Sequence, residues 1–146
     1  MILADMELQT PEEFRMMMES VCPKLTPYFD PVSLAMLDLA VTECLINAWE
    51  HGNRMDPEKI VSVRIILTPK RLLVRIADEG PGFTPHIHGI SCPDAHQEGG
   101  RGLYLMQEIM DDVKWNKQGN DFLLVRHLPY TNASLKKNEQ SLQKTT

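Results

Sequence analysis

Glu43 and Asn47 lie four residues apart in "TECLINAWEHGN", Thr42 to Asn53, a stretch that otherwise reads as a buried helix. At about 100° per residue the two share one side of that helix, roughly opposite Leu37, Val41 and Leu45, with Glu50 a further turn along. A helical glutamate is ordinarily a solvated side chain supported by Lys or Arg three or four residues away. Here those neighbours are Leu39, Ala40, Ile46 and Asn47. Met36, Leu39 and Ile46 flank the same pair, so the helix reads as apolar on two faces with a polar slot between them. A carboxylate in such a slot needs a ligand, a metal or a distant partner, because an uncompensated buried charge is costly.

Two further segments have chemical potential. In "ADEGPGF", Asp78 falls on the same strand face as Leu72, Val74 and Ile76, so its carboxylate points toward the core layer. It either initiates a turn ahead of Gly80-Pro81-Gly82 or accepts a hydrogen bond from an exocyclic amine, with Gly80 and Gly82 letting backbone approach a flat ligand closely. In "EGGRGLYLM", Gly99, Gly100 and Gly102 precede a helix opened by Leu103. Free backbone N–H groups at a helix start suit phosphate, and Arg101 adds a charged contact; the same glycines serve equally as a hinge. The stretch fits neither GxxxxGK[ST] nor GxGxxG.

The elements that must position these residues follow from local signals. Thr10 caps a first helix with Pro11 at its first position, ending near Pro23; Asp30-Pro31 starts a second that stops at Gly52. "KIVSVRIIL" and "RLLVRIAD" form a hairpin around Thr68-Pro69-Lys70, and "VKWN" and "DFLLVRHL" form another around "KQGN". Residues 79–101 have no apolar period and read as a lid. Strand pairs separated by helices predict an α+β fold: a two-layer α/β sandwich with helices on one face of a mixed, mostly antiparallel sheet. Residues 1–130 then form a single domain, and "TNASLKKNEQSLQKTT" a polar, disordered tail over 131–146.

Composition bounds the function. A chain of 146 residues with 42% hydrophobic and 24% charged residues suits one soluble domain. A net charge of -5 disfavours direct nucleic-acid binding, which needs a basic surface. Cys22, Cys44 and Cys92 are odd in number and widely spaced, which favours a reducing cytoplasm over a disulfide framework. No signal peptide or membrane-spanning stretch is expected.

Together, in order, the three segments resemble the motifs of the GHKL (histidine kinase-like) ATPase superfamily: "ECLINAWEHGN" its N box, "DEGPGF" its first glycine box and "GGRGLYLM" its second, over residues 30–128. The short length, the His-Gly after the first motif and "GLYLMQEIMDDV" are most similar to its anti-sigma-factor serine kinases. That resemblance implies a sandwich of the Bergerat type binding ATP and Mg²⁺ between helices and sheet. It implies Glu43 as the base, Asn47 as the magnesium ligand and Asp78 as the adenine contact. Gly80, Gly82, Gly99, Gly100 and Gly102 become phosphate and lid elements, with Arg101 and Leu103 in the same nucleotide-binding set. The implied function is an ATP-dependent serine/threonine kinase that phosphorylates an anti-sigma-factor antagonist, binds a sigma factor or similar regulator, and forms homodimers.

Two competing readings follow from the same residues. One is a non-catalytic ATP-binding interaction module of this fold; the presence of Glu43 favours the kinase, because binding alone requires no base. The other is a metal site at His86, His88, Cys92 and His96, whose spacing fits no common zinc pattern. His51 reads as a helix-terminal residue favoured by the dipole, and the "FRMMMES" cluster as a packing surface.

Overall fold

Thr10 starts the first helix as expected, its hydroxyl accepting from the Glu13 N–H at 3.3 Å, and Asp30 starts the second by accepting from the Ser33 N–H at 2.9 Å. In the computed structural model, residues 1–82 and 101–129 are described, with the backbone alone at Arg101 and Gly102. The elements are β1 (Ile2–Leu8), α1 (Pro11–Leu25), α2 (Pro31–Asn47) continuing as a π-helical turn (Ala48–Gly52), β2 (Val61–Leu67), β3 (Arg71–Ala77), α3 (Arg101–Ile109), β4 (Asp112–Trp115) and β5 (Asp121–His127).

The five strands form one sheet in the order β1-β2-β3-β5-β4, antiparallel at every pairing. The expected mixed sheet is therefore antiparallel throughout the described residues. Alternation works as the sequence predicts: Val61, Val63, Ile65, Leu72, Val74, Ile76 and Leu124 face the core, while Arg64 and Arg75 face outward. Those arginines pair with Asp5 at 3.1 Å and Asp121 at 2.6 Å, exposed contacts worth little to stability. The helices cover the apolar face, with α2 central: Leu37, Val41 and Leu45 are at most 1% exposed. Met17 and Met18 of α1 are also buried, which bears out the packing role of that cluster.

Four expectations need correction. Strand β1 was not foreseen; Ile2–Leu8 mixes Met, Ala, Asp and Glu, and its register shifts between Ile2 and Ala4, so strict alternation is absent. Helix α1 runs through Pro23 to Leu25: the proline removes one N–H from the ladder but stands so near the end that only Lys24 and Leu25 follow it, and the Thr26 hydroxyl donates to the Pro23 carbonyl at 2.9 Å. Helix α3 begins at Arg101, not Leu103. Finally, Pro31–Gly52 is, at 22 residues, long and apolar enough to cross a membrane by length and composition, contrary to the expectation that no stretch is; here its core face packs on the sheet and on the other helices. Gly99, Gly100, the cluster His86, His88, Cys92 and His96, and the 131–146 tail lie outside the described residues.

Candidate functional site

A cavity of about 220 Å³ opens where α2 and its π turn, the end of β3, α3 and the β4–β5 turn meet, and Asn47, Asp78, Gly82 and Leu103 all line it. Four separate stretches of sequence thus converge, and four of the expected site residues face one space.

Asp78 continues the inward face of β3 beyond the last strand residue. Its backbone N–H donates to the Asn120 carbonyl at 2.9 Å, and its Oδ1 accepts from the Gly80 N–H at 2.8 Å. The Asp78 residue lines the cavity. Burial pushes the Asp78 carboxyl above its ordinary range, against the opposing pull of the Gly80 N–H and the Lys59 ammonium.

Glycine is required around this carboxylate for reasons of space. A Cβ on Gly52 would lie 2.4 Å from the Asp78 carboxyl carbon, and one on Gly80 would lie 2.0 Å from the Gly52 carbonyl oxygen. Gly82 has φ +80°, and its Cβ would meet the Gln118 carbonyl at 1.9 Å. Three glycines therefore let the end of α2, the loop after β3 and the β4–β5 turn touch backbone to backbone. The turn itself is organised by Asn116, whose Oδ1 accepts from the N–H groups of Gly119, Asn120 and Asp121 at 2.8, 3.0 and 3.2 Å. Asn120 then ties it to the loop by donating to the Gly80 carbonyl at 3.1 Å.

Glu43 stands one turn before Asn47 on α2, half-buried, and does not line the cavity. Among the described residues it enters no ion pair. The second apolar face inferred around it is largely uncovered: Met36 is 40% and Leu39 41% exposed. His51, read as a helix-terminal residue, is exposed and lines the cavity. At the start of α3, Arg101 and Gly102 contribute their backbone to the helix N-terminus, and Leu103 is buried against the cavity.

Sequence reasoning missed Cys44, Gly52, Gly119 and Phe122 as cavity residues. Cys44 had a signal, sitting between Glu43 and Asn47 on the side that turns inward; burial, and then the Asp78 charge, push its thiol up to about 12, so it is a neutral wall. Gly52 was read as a helix stop, and Gly119 and Phe122 as turn and strand residues, with nothing local to mark their approach to Asp78. Among the described residues, Cys22 and Cys44 are free thiols.

No group of three or more His, Cys, Asp or Glu that could hold a metal occurs among the described residues. The donor set nevertheless fits Mg²⁺ bound jointly with a phosphate ligand, since that ion commonly takes only one or two protein oxygens and Asn47 offers one from the cavity wall. Leu103, Met106 and Phe122 line the same cavity as Asp78, a combination of apolar surface and a carboxylate that suits a flat heteroaromatic ring bearing an amine.

The sequence profile described as the histidine kinase-like ATPase domain matches residues 6–126. Similar characterised proteins include serine-protein kinase RsbW of Bacillus licheniformis, 33% identical over 108 residues, covering 68% of this chain and 66% of that protein. Serine-protein kinase RsbW of Bacillus subtilis (strain 168) is 34% identical over 102 residues, 63% of each chain. That of Bacillus velezensis is 35% identical over 105 residues, 66% of this chain and 64% of its own. The matched part thus spans just under two-thirds of these relatives. A match over nearly all of the described core, together with Asn47 and Asp78 facing one cleft, means that this chain belongs to the histidine kinase-like ATPase domain family.

Proposed function

We propose that the chain is an ATP- and Mg²⁺-dependent serine/threonine protein kinase acting as an anti-sigma factor. In this reading it phosphorylates an anti-sigma-factor antagonist, binds a sigma factor or similar regulator, and works as a homodimer in the cytoplasm. Residues 1–130 act as one catalytic domain, followed by a polar tail. The observation that carries the reading is the row on α2: a half-buried Glu43 with no ion-pair partner among the described residues, one turn from an amide that lines a cleft shared with Asp78. Relatives named serine-protein kinase support it.

The roles follow from the atoms. Asp78 accepts from the adenine amine and fixes the base. Asn47 presents a carboxamide oxygen to the magnesium, which when bound supplies charge neutralisation at the phosphates. Glu43 takes the proton of a substrate hydroxyl as that oxygen bonds to the γ-phosphorus and the bond to the departing diphosphate oxygen breaks. Arg101 and the N-terminus of α3, with Gly99, Gly100 and Gly102, hold phosphate.

Phosphate transfer from labelled ATP to a hydroxyl-bearing antagonist protein tests this. Glu43→Gln is expected to cut transfer by roughly 10²–10⁴-fold while leaving ATP affinity within about twofold. Tight Mg-ATP binding by the unaltered chain without transfer to any antagonist would instead support the non-catalytic binding module, a reading favoured by the position of Glu43 outside the cavity lining.

A further inference from the structure

Asn53 is the only buried polar residue among those described, at 1% exposure, and it uses every hydrogen-bonding group it has. Its N–H donates to the Ala48 carbonyl at 2.8 Å, the wide closure of the π turn, and its carbonyl accepts from the Asp56 N–H at 3.1 Å. Its side chain enters a closed ring with two other residues. Asn53 Nδ2 donates to the Ile60 carbonyl at 2.8 Å, the Ile60 N–H donates to Glu79 Oε1 at 2.7 Å, and the Glu79 N–H donates to Asn53 Oδ1 at 2.7 Å. The ring joins the end of α2, the approach to β2 and the residue immediately after Asp78.

The backbone beside it is strained. Arg54 and Met55 both adopt left-handed φ, 53° and 56°, conformations that are unfavourable for a residue carrying a Cβ. A π turn followed by two left-handed residues is an expensive way to leave a helix, and such features persist only where surrounding contacts over-determine them. What the exit achieves is placement of Gly52 against Asp78, where no side chain fits, and against Gly80.

We infer that Asn53 is a positioning residue for purine recognition: its carboxamide keys Glu79, and through it Asp78, to the end of α2, so that the Asp78 carboxylate meets an amine at the purine 6-position and rejects a carbonyl there. The inference rests on the proposed nucleotide site and deepens it, because it assigns base selectivity to a residue outside the cavity lining. Asn53 touches no nucleotide; it acts by holding a residue that does.

The test is the ratio of Kd for Mg-ATP to Kd for Mg-ITP, which carries a carbonyl at position 6, measured by calorimetry on the full chain. The unaltered chain is expected to prefer ATP by roughly 10- to 100-fold, the range of one well-made buried hydrogen bond. Asn53→Ala should bring the preference within about threefold, by weakening ATP while leaving ITP within about twofold. Met18→Ala, buried in α1 away from the cleft, supplies a destabilised control that should keep the full preference. An Asn53→Ala chain that retains the preference, or a Met18→Ala chain that loses it equally, would overturn the inference and leave the proposed function standing. No nucleotide binding by the unaltered chain would remove both. If Asn53→Ala does not fold, amide exchange of the unaltered chain decides: ATP should slow exchange at the Glu79 N–H more than ITP does, and equal slowing would overturn the inference.

Discussion

Asp78 is held in a position that costs the free protein something. Its carboxyl is pushed above the ordinary aspartate range chiefly by burial, with the Gly80 N–H only partly offsetting this. A raised value in the folded chain means that its contribution to stability is fully present below the unfolded value of about 3.9 and is lost as pH rises through the folded value. At neutral pH the ionised group therefore weighs against folding. Asp78→Asn keeps an oxygen for the Gly80 N–H and removes the buried charge, so it is expected to melt at the same temperature or about 1–2 °C higher at pH 7, with the difference shrinking below pH ~4. Nucleotide binding should move the other way. The new amide N–H₂ would face the purine amine donor to donor, so Mg-ATP affinity should fall roughly 10- to 100-fold. Calorimetry and thermal melts across pH check both; a variant that binds ATP as well as the unaltered chain would remove Asp78 from base recognition.

Helix α2 and the loop after β3 were legible because each has a strong local signal: Asp30-Pro31 opens one, and the inward alternation Leu72, Val74, Ile76 delivers Asp78 to the other. What joins them was not legible. The π turn at Ala48–Gly52 has no sequence period of its own, and the contact of Gly82 with Gln118 links positions far apart in the chain. Strand β1 was missed for a related reason, since at the sheet edge only one side is constrained by a neighbour and its pattern is irregular. The glycine contacts make the loop and the β4–β5 hairpin one mechanical piece. Gly82→Ala places a Cβ where φ is +80° and the Gln118 carbonyl stands 1.9 Å away, so one backbone must move. The expected cost is about 1–3 kcal/mol by urea denaturation, with weaker Mg-ATP binding because the Asp78 loop shifts with it. Unchanged stability would mean that the two elements are not locked together.

At the scale of the whole molecule, the proposed ligand site lies at a seam where, among the described residues, the end of α2 meets the loop after β3 through Gly52, Asp78 and Gly80. Elsewhere α2 packs into the core through Leu37, Val41 and Leu45; the gap opens along Cys44, Asn47 and Ala48, and α3 and the β4–β5 turn line its other sides. The sequence shows the two walls, because amphipathic helices and alternating strands are local properties, but the gap is a property of how four distant segments meet. A ligand bound there bridges both layers and exists only on the folded chain, so its binding free energy adds directly to stability. Mg-ATP at 100 times its Kd should therefore contribute about 2.7 kcal/mol, read as a rise of several degrees in Tm that grows with nucleotide concentration. Removing magnesium with a chelator should shrink the rise, since Asn47 would then lose the ion that links it to phosphate. Asn47→Ala should reduce the magnesium-dependent part and leave the magnesium-free part, which the proposed base contact at Asp78 would supply. A Tm indifferent to adenine nucleotide at every concentration would show that the seam is only a packing defect.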